Sequence, residues 1–167
     1  VFQKFGVKTK QVGLMDIMKE FDKGFIDAAE FSIPSWDLFL GLQKAAKYNY
    51  YPGWYQPTTI MELIINKKKW DGISMAAKMI INTACESLLL KSTIKFNAMQ
   101  PKAMKELKKQ GVTLVTWKDS ELQEFKKAWL EIAKEESTKD PLFAEVYKSY
   151  RSFRDRYAIW GDLAYLK

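Results

Sequence analysis

One arrangement of residues occurs three times in the chain and restricts its fold more than any other feature. A helical segment ends at a glycine, and a run that favours a strand follows. The three junctions read FQKFG-VKTKQV, MKEFDKG-FIDAAEF and KELKKQG-VTLVTW. Glycine just past a helix adopts the left-handed conformation that closes the last turn. Helices that alternate with strands predict an α/β fold.

The remaining segments predict further elements of both kinds. Between Tyr48 and Asn66, a Pro-Gly pair separates two runs of aromatic or β-branched residues, which predicts strand, turn and strand. From Ser74 onward, apolar residues at helical spacing predict one long helix with a break near Gln100, because Pro101 follows. Nearer the end of the chain two more helices are expected. Ser120 with Gln123 predicts a capping box, and Asp140 followed by Pro141 opens the last helix.

Composition excludes several classes of function. Of the 167 residues, 47% are hydrophobic, enough for a sizeable core, and none is histidine. Without histidine no Ser-His-Asp or Cys-His arrangement exists, and no glycine-rich phosphate loop is visible, so we predict that the chain is not an enzyme. Any bound metal should be a hard cation held by oxygen atoms. The single Cys85 permits no internal disulfide and does not decide the compartment.

The positive charge of the chain allows two interpretations. The net charge is +7, from 27 basic and 20 acidic residues, and most of the excess is scattered lysine, which favours a solvated surface. The alternative is a basic nucleic-acid-binding module that uses Lys67–Lys69 and the Arg151–Arg156 cluster. Each cluster also has a simpler interpretation, as the solvated start of a helix and as an amphipathic helix face with Arg151 and Asp155 paired.

Two local features suggest a binding site. The aromatic residues Tyr48, Tyr50, Tyr51, Trp54 and Tyr55 form either a stacking platform or an ordinary strand with one face in a core. The second feature is a carboxylate in the segment from Ile26 to Ile33.

If that segment is extended, Glu30 shares a face with Ile26, Ala28 and Ser32, which are mostly too small to cover it. The segment ends at Pro34, where Ser35 or Asp37 is expected to cap a helix. A carboxylate at the end of a strand, beside a helix N-terminus, is typical of ligand sites in open α/β proteins.

Several segments of the sequence resemble those of a known family. The segment GFIDAAEFSIPSWDLFLGLQKAAKYNYYPGWYQP is similar to the motif region of the solute-binding subunits of TRAP transporters (DctP-type), in the branch that binds 2-oxo and 2-hydroxy monocarboxylates. The later segments MELIINKKKWDGI, KKQGVTLVTW and KDPLFAEVYKSYRSFRDRY are similar as well. The resemblance therefore covers essentially the whole chain.

The resemblance implies a two-lobed periplasmic binding protein of which this chain is the C-terminal half, with a long helix spanning the lobes. Residues 30–70 would belong to the first lobe, and residues 1–29 and 71–167 to the second. Such a protein captures a small organic acid, pyruvate or lactate being the first to test, and delivers it to the membrane permease subunits. The implied location is the periplasm, and no signal peptide is visible before Val1.

The resemblance also implies a site. The carboxylate of Glu30 and the backbone carbonyl of Phe31 would hold a cation, sodium or calcium, that bridges to the ligand carboxylate. Relatives carry tryptophan where this chain has Phe31, and they supply an arginine and a glutamine from a segment that precedes this chain's first helix. The residues expected to line or support the pocket are Trp36, Asp37, Tyr50 and Trp54. No organic cofactor and no nucleic acid is implied, and the C-terminal helix is expected to join two copies in a homodimer.

Overall fold

The computed structural model describes residues 1–56 and 58–164. Within them it forms six α-helices and two β-strands, in the order α1 Ile17–Asp22, α2 Pro34–Leu40, β1 Tyr48–Tyr51, α3 Lys67–Asp71, α4 Met75–Lys109, β2 Thr113–Thr116, α5 Asp119–Lys139 and α6 Pro141–Ala164. Short 3-10 helices occupy Phe2–Phe5, Leu14–Asp16 and Leu42–Lys44. The chain forms two compact units, one of residues 12–116 and one of residues 1–11 with the residues from 117 onward.

The three predicted helix ends are confirmed. Gly6, Gly24 and Gly111 have φ angles of 78°, 68° and 83°, in the left-handed region that glycine adopts without a steric penalty. The start of the long helix at Ser74 is confirmed too, because the Ser74 hydroxyl oxygen accepts a hydrogen bond of 3.2 Å from the Ala77 N–H.

Residues 12–116 build a helix-flanked pair of parallel strands. Tyr48 in β1 pairs with Thr113 in β2, and the pairing continues to Tyr51 and Thr116. Helix α2 packs against α4, and β2 follows α4 after the turn at Gly111. The buried apolar residues of this unit include Ile17, Pro34, Leu42, Ala103, Leu107 and Val112. Its core therefore lies between the C-terminal third of α4 and the elements that precede β1.

The other unit consists mainly of α5 and α6. The two helices pack together, with the rings of Trp129 and Tyr147 at 6.3 Å between centroids. The N-terminal 3-10 helix joins them, because Phe2 and Phe5 both contact Phe125 edge to face, at 5.7 and 5.5 Å.

At the start of the last helix, Asp140 Oδ1 accepts hydrogen bonds from the backbone N–H groups of Leu142 and Phe143. The predicted start of this helix is thus confirmed.

Several predicted strands are absent among the described residues. Residues 7–12, 26–33 and 58–66 contain no strand. A strand needs a neighbour to pair with its backbone groups, and β-propensity alone supplies none. The α/β fold class is confirmed, and the chain is richer in helix than in strand. The two lobes, the lobe assignment of residues 30–70, and a helix spanning the lobes stay predictions.

Three details of the helices differ from the predictions. Helix α4 continues through Pro101 without a break, because the packing of α4 on α2 and the burial of Ala103 and Leu107 offset the one hydrogen bond that proline cannot donate. Helix α5 begins at Asp119, and its capping bond joins the Lys118 N–H to Glu121 Oε2 at 2.8 Å, instead of involving Ser120 and Gln123.

Helix α2 is preceded by Ile33, so neither Ser35 nor Asp37 occupies its N-cap.

Helix α4 is long, with 35 residues, but not uniformly apolar. None of the helices in the described ranges has the length and hydrophobicity required to cross a lipid bilayer. The thiol of Cys85 lies on this helix and is exposed.

Candidate functional site

A cavity of about 90 Å³ lies within the unit of residues 12–116. A single water occupies roughly 10–15 Å³ by the same measure, so the cavity has room for several waters or a small organic molecule. Its walls come from the segment after α1, from α2 and the 3-10 helix that follows, from β1, and from α4 and its turn. The lining residues are Phe21, Ala29, Phe31, Ser32, Asp37, Leu42, Gln43, Ala46, Tyr48, Asn49, Tyr55, Leu107 and Val112.

The extended segment around Glu30 forms one wall of the cavity. Ala29, Phe31 and Ser32 line it, whereas Glu30 is exposed and is not among the lining residues. The partial burial that Glu30 does have raises the pKa of its carboxyl. Its negative charge also raises the pKa of Tyr55, after the larger effect of burial on that hydroxyl. The charge of Glu30 is therefore felt at Tyr55, and Tyr55 lines the cavity.

Asp37 is the charged side chain in the cavity wall. It lies in the first turn of α2 and is half-buried, and its Oδ2 accepts a 3.1 Å hydrogen bond from Asn49 Nδ2 in β1. Burial raises the pKa of Asp37 to about 6, and the bond from Asn49 opposes that rise. The carboxylate is therefore mostly ionised at neutral pH and keeps acceptor capacity beyond the one bond to Asn49.

Tyrosine hydroxyls supply hydrogen-bond donors close to Asp37. Burial, followed by the charge of Asp37, raises the pKa of Tyr51 to about 12, so the hydroxyl stays protonated at neutral pH. The Tyr51 hydroxyl is buried and has no hydrogen-bond partner within residues 1–56 and 58–164. A buried donor without a partner costs about 1–3 kcal/mol. Tyr51 is not among the residues that line the cavity, whereas Tyr55, whose pKa burial also raises, is one of them.

The structure brings together some of the predicted site residues and not others. Phe31 and Asp37 line the cavity. Trp36 is 37% exposed and contacts Phe39 edge to face at 5.3 Å. Tyr50 is 44% exposed, and Trp54 packs on Tyr55 with 5.5 Å between ring centroids. Trp36, Tyr50 and Trp54 are thus outside the set of lining residues, and their predicted role in binding stays a prediction.

The sequence does not single out Asn49, and it indicates Tyr55 only as one member of the aromatic cluster. The signal for Asn49 is the alternation along β1, where Asn49 and Tyr51 are half-buried and Tyr48 and Tyr50 are exposed. A polar amide on the buried face of a tyrosine-rich strand points to a hydrogen-bond partner inside, and that partner is Asp37. Tyr55 follows the Pro-Gly turn, and no sequence pattern after that turn indicates which way the Tyr55 side chain points.

The oxygen donors of Glu30 and Phe31 fit a hard cation in type but not in number. Sodium or calcium prefers carboxylate, carbonyl and water oxygens, which are the groups that these two residues offer. Among the described residues, no group of three or more histidine, cysteine, aspartate or glutamate side chains could hold a metal ion. Further ligands would have to be waters, the bound acid or other polypeptide.

The two basic clusters are exposed and partly neutralised by acidic neighbours. Lys67 Nζ lies 2.6 Å from Asp71 Oδ2 within α3, and an Arg151 nitrogen lies 3.8 Å from Asp155 Oδ1 within α6. The Arg154 guanidinium lies over the ring of Tyr150 at 5.6 Å. These contacts are those of ordinary solvated helix faces, so no observation favours the nucleic-acid alternative.

Comparison with known proteins adds evidence of a different kind. The profile of the family described as bacterial extracellular solute-binding protein, family 7 (DctP), matches residues 1–140. A protein of Nostoc sp. strain PCC 7120, named monocarboxylate 2-oxoacid-binding periplasmic protein, is 31% identical over 161 residues, which are 96% of this chain and 44% of that protein.

A solved structure is similar along nearly the whole chain. It is a TRAP transporter solute-binding protein from Bordetella bronchiseptica RB50, with a TM-score of 0.87 and 28% identity, over 97% of this chain and 48% of that one. It is described as a mixed-occupancy dimer with copurified calcium and picolinate in one active site and an apo site in the other. This chain spans about half the length of the two relatives.

Proposed function

The chain belongs to the bacterial extracellular solute-binding proteins of family 7, and from that premise we propose that it forms the ligand-holding C-terminal part of a TRAP transporter solute-binding protein. The family is one of extracytoplasmic solute-binding proteins rather than of enzymes. The observation that carries the proposal is the cavity walled by Phe31 and Asp37, with the Glu30 carboxylate beside it.

The ligand that we propose is a small 2-oxo or 2-hydroxy monocarboxylate such as pyruvate or lactate. The name of the Nostoc relative supports this class. The chemistry of the cavity supports it as well, because a molecule of a few heavy atoms fits about 90 Å³. The Tyr55 hydroxyl, which burial keeps protonated, would donate a hydrogen bond to the acid, and the Phe31 ring supplies an apolar wall.

In this proposal the Glu30 carboxylate and the Phe31 carbonyl hold sodium or calcium. A bound cation supplies the positive charge that attracts the ligand carboxylate, and the calcium that copurified with the Bordetella relative supports its presence. The residues of this chain orient that arrangement. Asp37, fixed by Asn49, adds an acceptor on the α2 side of the cavity.

We also propose the two-lobed arrangement, with residues 30–70 contributing to the first lobe and residues 1–29 and 71–167 to the second. Helix α4, with 35 residues and a length of about 50 Å, is as long as a helix that runs along both lobes would need to be. The lobes would close around the acid, and the loaded protein would deliver it to the permease subunits of the transporter in the membrane.

A final part of the proposal is a homodimer through α6. Every residue from 148 to 160 is exposed. Val146, Tyr150, Phe153 and Tyr157 are all exposed and recur at spacings of four, three and four along α6, which aligns them in one apolar stripe. The Bordetella relative was observed as a dimer, which supports the same arrangement.

The test measures ligand-induced stabilisation of the full-length gene product that contains this chain. We expect pyruvate or lactate, added with calcium or sodium chloride, to raise the melting temperature, since a ligand at about 100 times its Kd adds about 2.7 kcal/mol. Glu30→Gln should weaken the effect, and Asp27→Asn, an exposed change in the same segment, should not. The proposal fails if no small organic acid shifts the melting temperature of the wild type.

A further inference from the structure

The N-terminus of α2 leaves one backbone donor that its own segment does not satisfy. Ile33, which precedes the helix, has no side-chain acceptor, and Pro34 has no N–H. The N–H groups of Trp36 and Asp37 both bond to the Ile33 carbonyl, at 2.8 and 3.1 Å. The remaining free donor of the first turn is the Ser35 N–H, which a side chain at the N-cap would ordinarily accept.

A glutamine from α4 accepts this donor. Gln100 Oε1 accepts the Ser35 N–H at 3.0 Å, and Gln100 Nε2 donates to Ser35 Oγ, also at 3.0 Å. The same Nε2 donates to the Phe96 carbonyl of its own helix at 2.6 Å. Both polar atoms of the amide are therefore engaged, and the side chain is held by α2 on one side and by its own helix on the other.

The location of this bidentate contact gives it a role in binding. Ser35 lies between the Glu30–Phe31 pair, where the cation is proposed, and Asp37, which lines the cavity. Gln100 is 65 positions away in the sequence and lies on the longest helix of the chain. We propose that Gln100 is a positioning residue, which caps α2 from a distance and thereby fixes the Glu30–Asp37 segment against α4.

The expected effect of Gln100 on ligand binding rests on the proposed function. If Glu30 and Phe31 hold a cation, their affinity for it depends on how well the segment is fixed, because a loosely held pair of ligands must be ordered when the cation binds. Because the Gln100–Ser35 contact joins the segment to α4, the segment and α4 would also move together when a ligand is captured.

The test compares two variants that each remove one helix cap. Gln100→Met keeps the size of the side chain and removes the amide, whereas Ser74→Ala removes the cap of α4 itself, which lies at the other end of that helix and is not in the cavity wall. In wild type and variants, amide hydrogen exchange is measured across residues 30–40.

We expect Gln100→Met to speed exchange there by about tenfold, as the loss of a cap implies, and Ser74→Ala to leave residues 30–40 unchanged. Gln100→Glu is the rescue variant. Its carboxylate still accepts from the Ser35 N–H and hydroxyl, and it lies at a helix N-terminus that favours negative charge, but it loses the bond that Nε2 donates to the Phe96 carbonyl. It should restore slow exchange in part, to a rate between those of the wild type and Gln100→Met. Equal exchange across residues 30–40 in wild type and Gln100→Met would overturn the proposal.

Affinity provides a second readout in the longer protein, titrated calorimetrically with pyruvate in calcium chloride. Gln100→Met should weaken binding by about tenfold and Ser74→Ala by less than about twofold. Equal weakening in both variants would mean that Gln100 acts only on general stability, which contradicts the inference. If the wild type binds no acid, the proposed function fails, and the exchange experiment alone decides the role of Gln100.

Discussion

Asp37 keeps a negative charge in a place that disfavours it. The side chain is half-buried, and its Oδ2 accepts one hydrogen bond, from Asn49. Burial raises the pKa of the carboxyl to about 6. A group whose pKa is higher in the folded than in the unfolded chain stabilises the fold at low pH, and that contribution is lost as the pH rises through the folded value. The charge is retained at neutral pH at a cost in stability, which is common for residues of a binding site.

The cost is measurable in an Asp37→Asn variant, which keeps a polar group facing Asn49 but cannot ionise. Between about pH 4 and pH 6 the wild type should lose stability relative to the variant, by up to about 3 kcal/mol, with no further change above about pH 7. Urea unfolding of both proteins at a series of pH values gives the difference directly. A difference that does not vary with pH would show that the Asp37 carboxyl is not buried in the way described.

The residues of the candidate site could be predicted only in part. Phe31 and Asp37 were predicted from the resemblance and line the cavity. For β1 the sequence reveals two alternating faces but not which of them lies inside, so Tyr50 was selected, whereas the half-buried face carries Asn49 and Tyr51. The choice depends on where α2 and α4 pack, and no local pattern of residues contains that information.

At the scale of elements, features set by neighbouring residues were predictable and those set by distant partners were not. Glycine at the end of a helix acts within a few residues, and all three predicted ends are confirmed. A strand requires a partner, so the segment from Ile26 to Ile33 has strand propensity and no strand. Pro101 would break an isolated helix, yet α4 continues through it because packing on α2 stabilises the following turns.

The packing of α4 predicts different costs along one helix. Leu107 is 1% exposed and lies in the core beside the cavity, so Leu107→Ala should lower the free energy of unfolding by about 2–5 kcal/mol. Leu90, in the same helix, is 65% exposed, and Leu90→Ala should change it by no more than about 0.5 kcal/mol. Chemical denaturation of this chain compares the two. Similar losses in both variants would contradict the burial described for the C-terminal third of α4.

At the scale of the whole molecule, α6 is the surface through which we propose that two copies associate. Its first turns pack on α5 through Tyr147, but no residue from 148 to 160 is buried. An exposed apolar stripe of several turns is costly in water unless another surface covers it. A second copy of the same helix would provide such a surface, since a two-fold interface needs only one stripe per chain.

A charge placed in the stripe tests this arrangement. Phe153→Glu should convert a dimer to a monomer in sedimentation velocity experiments, because it would bury two like charges at the interface. Ser152→Glu adds the same charge one position along the helix, outside the stripe, and should leave the dimer intact. A wild-type protein that sediments as a monomer, or a Phe153→Glu protein that still sediments as a dimer, would exclude α6 as the interface.

The exposed thiol of Cys85 affects how such an experiment must be done. The 167 residues contain one cysteine, so within them the thiol has no partner, and in air it can pair with an external thiol or with Cys85 of another copy. The second reaction links two chains covalently through α4, whether or not α6 is apolar. An oxidised sample would therefore imitate self-association. Electrophoresis without reductant separates the cross-linked species, and a Cys85→Ser background removes the ambiguity from every measurement of assembly.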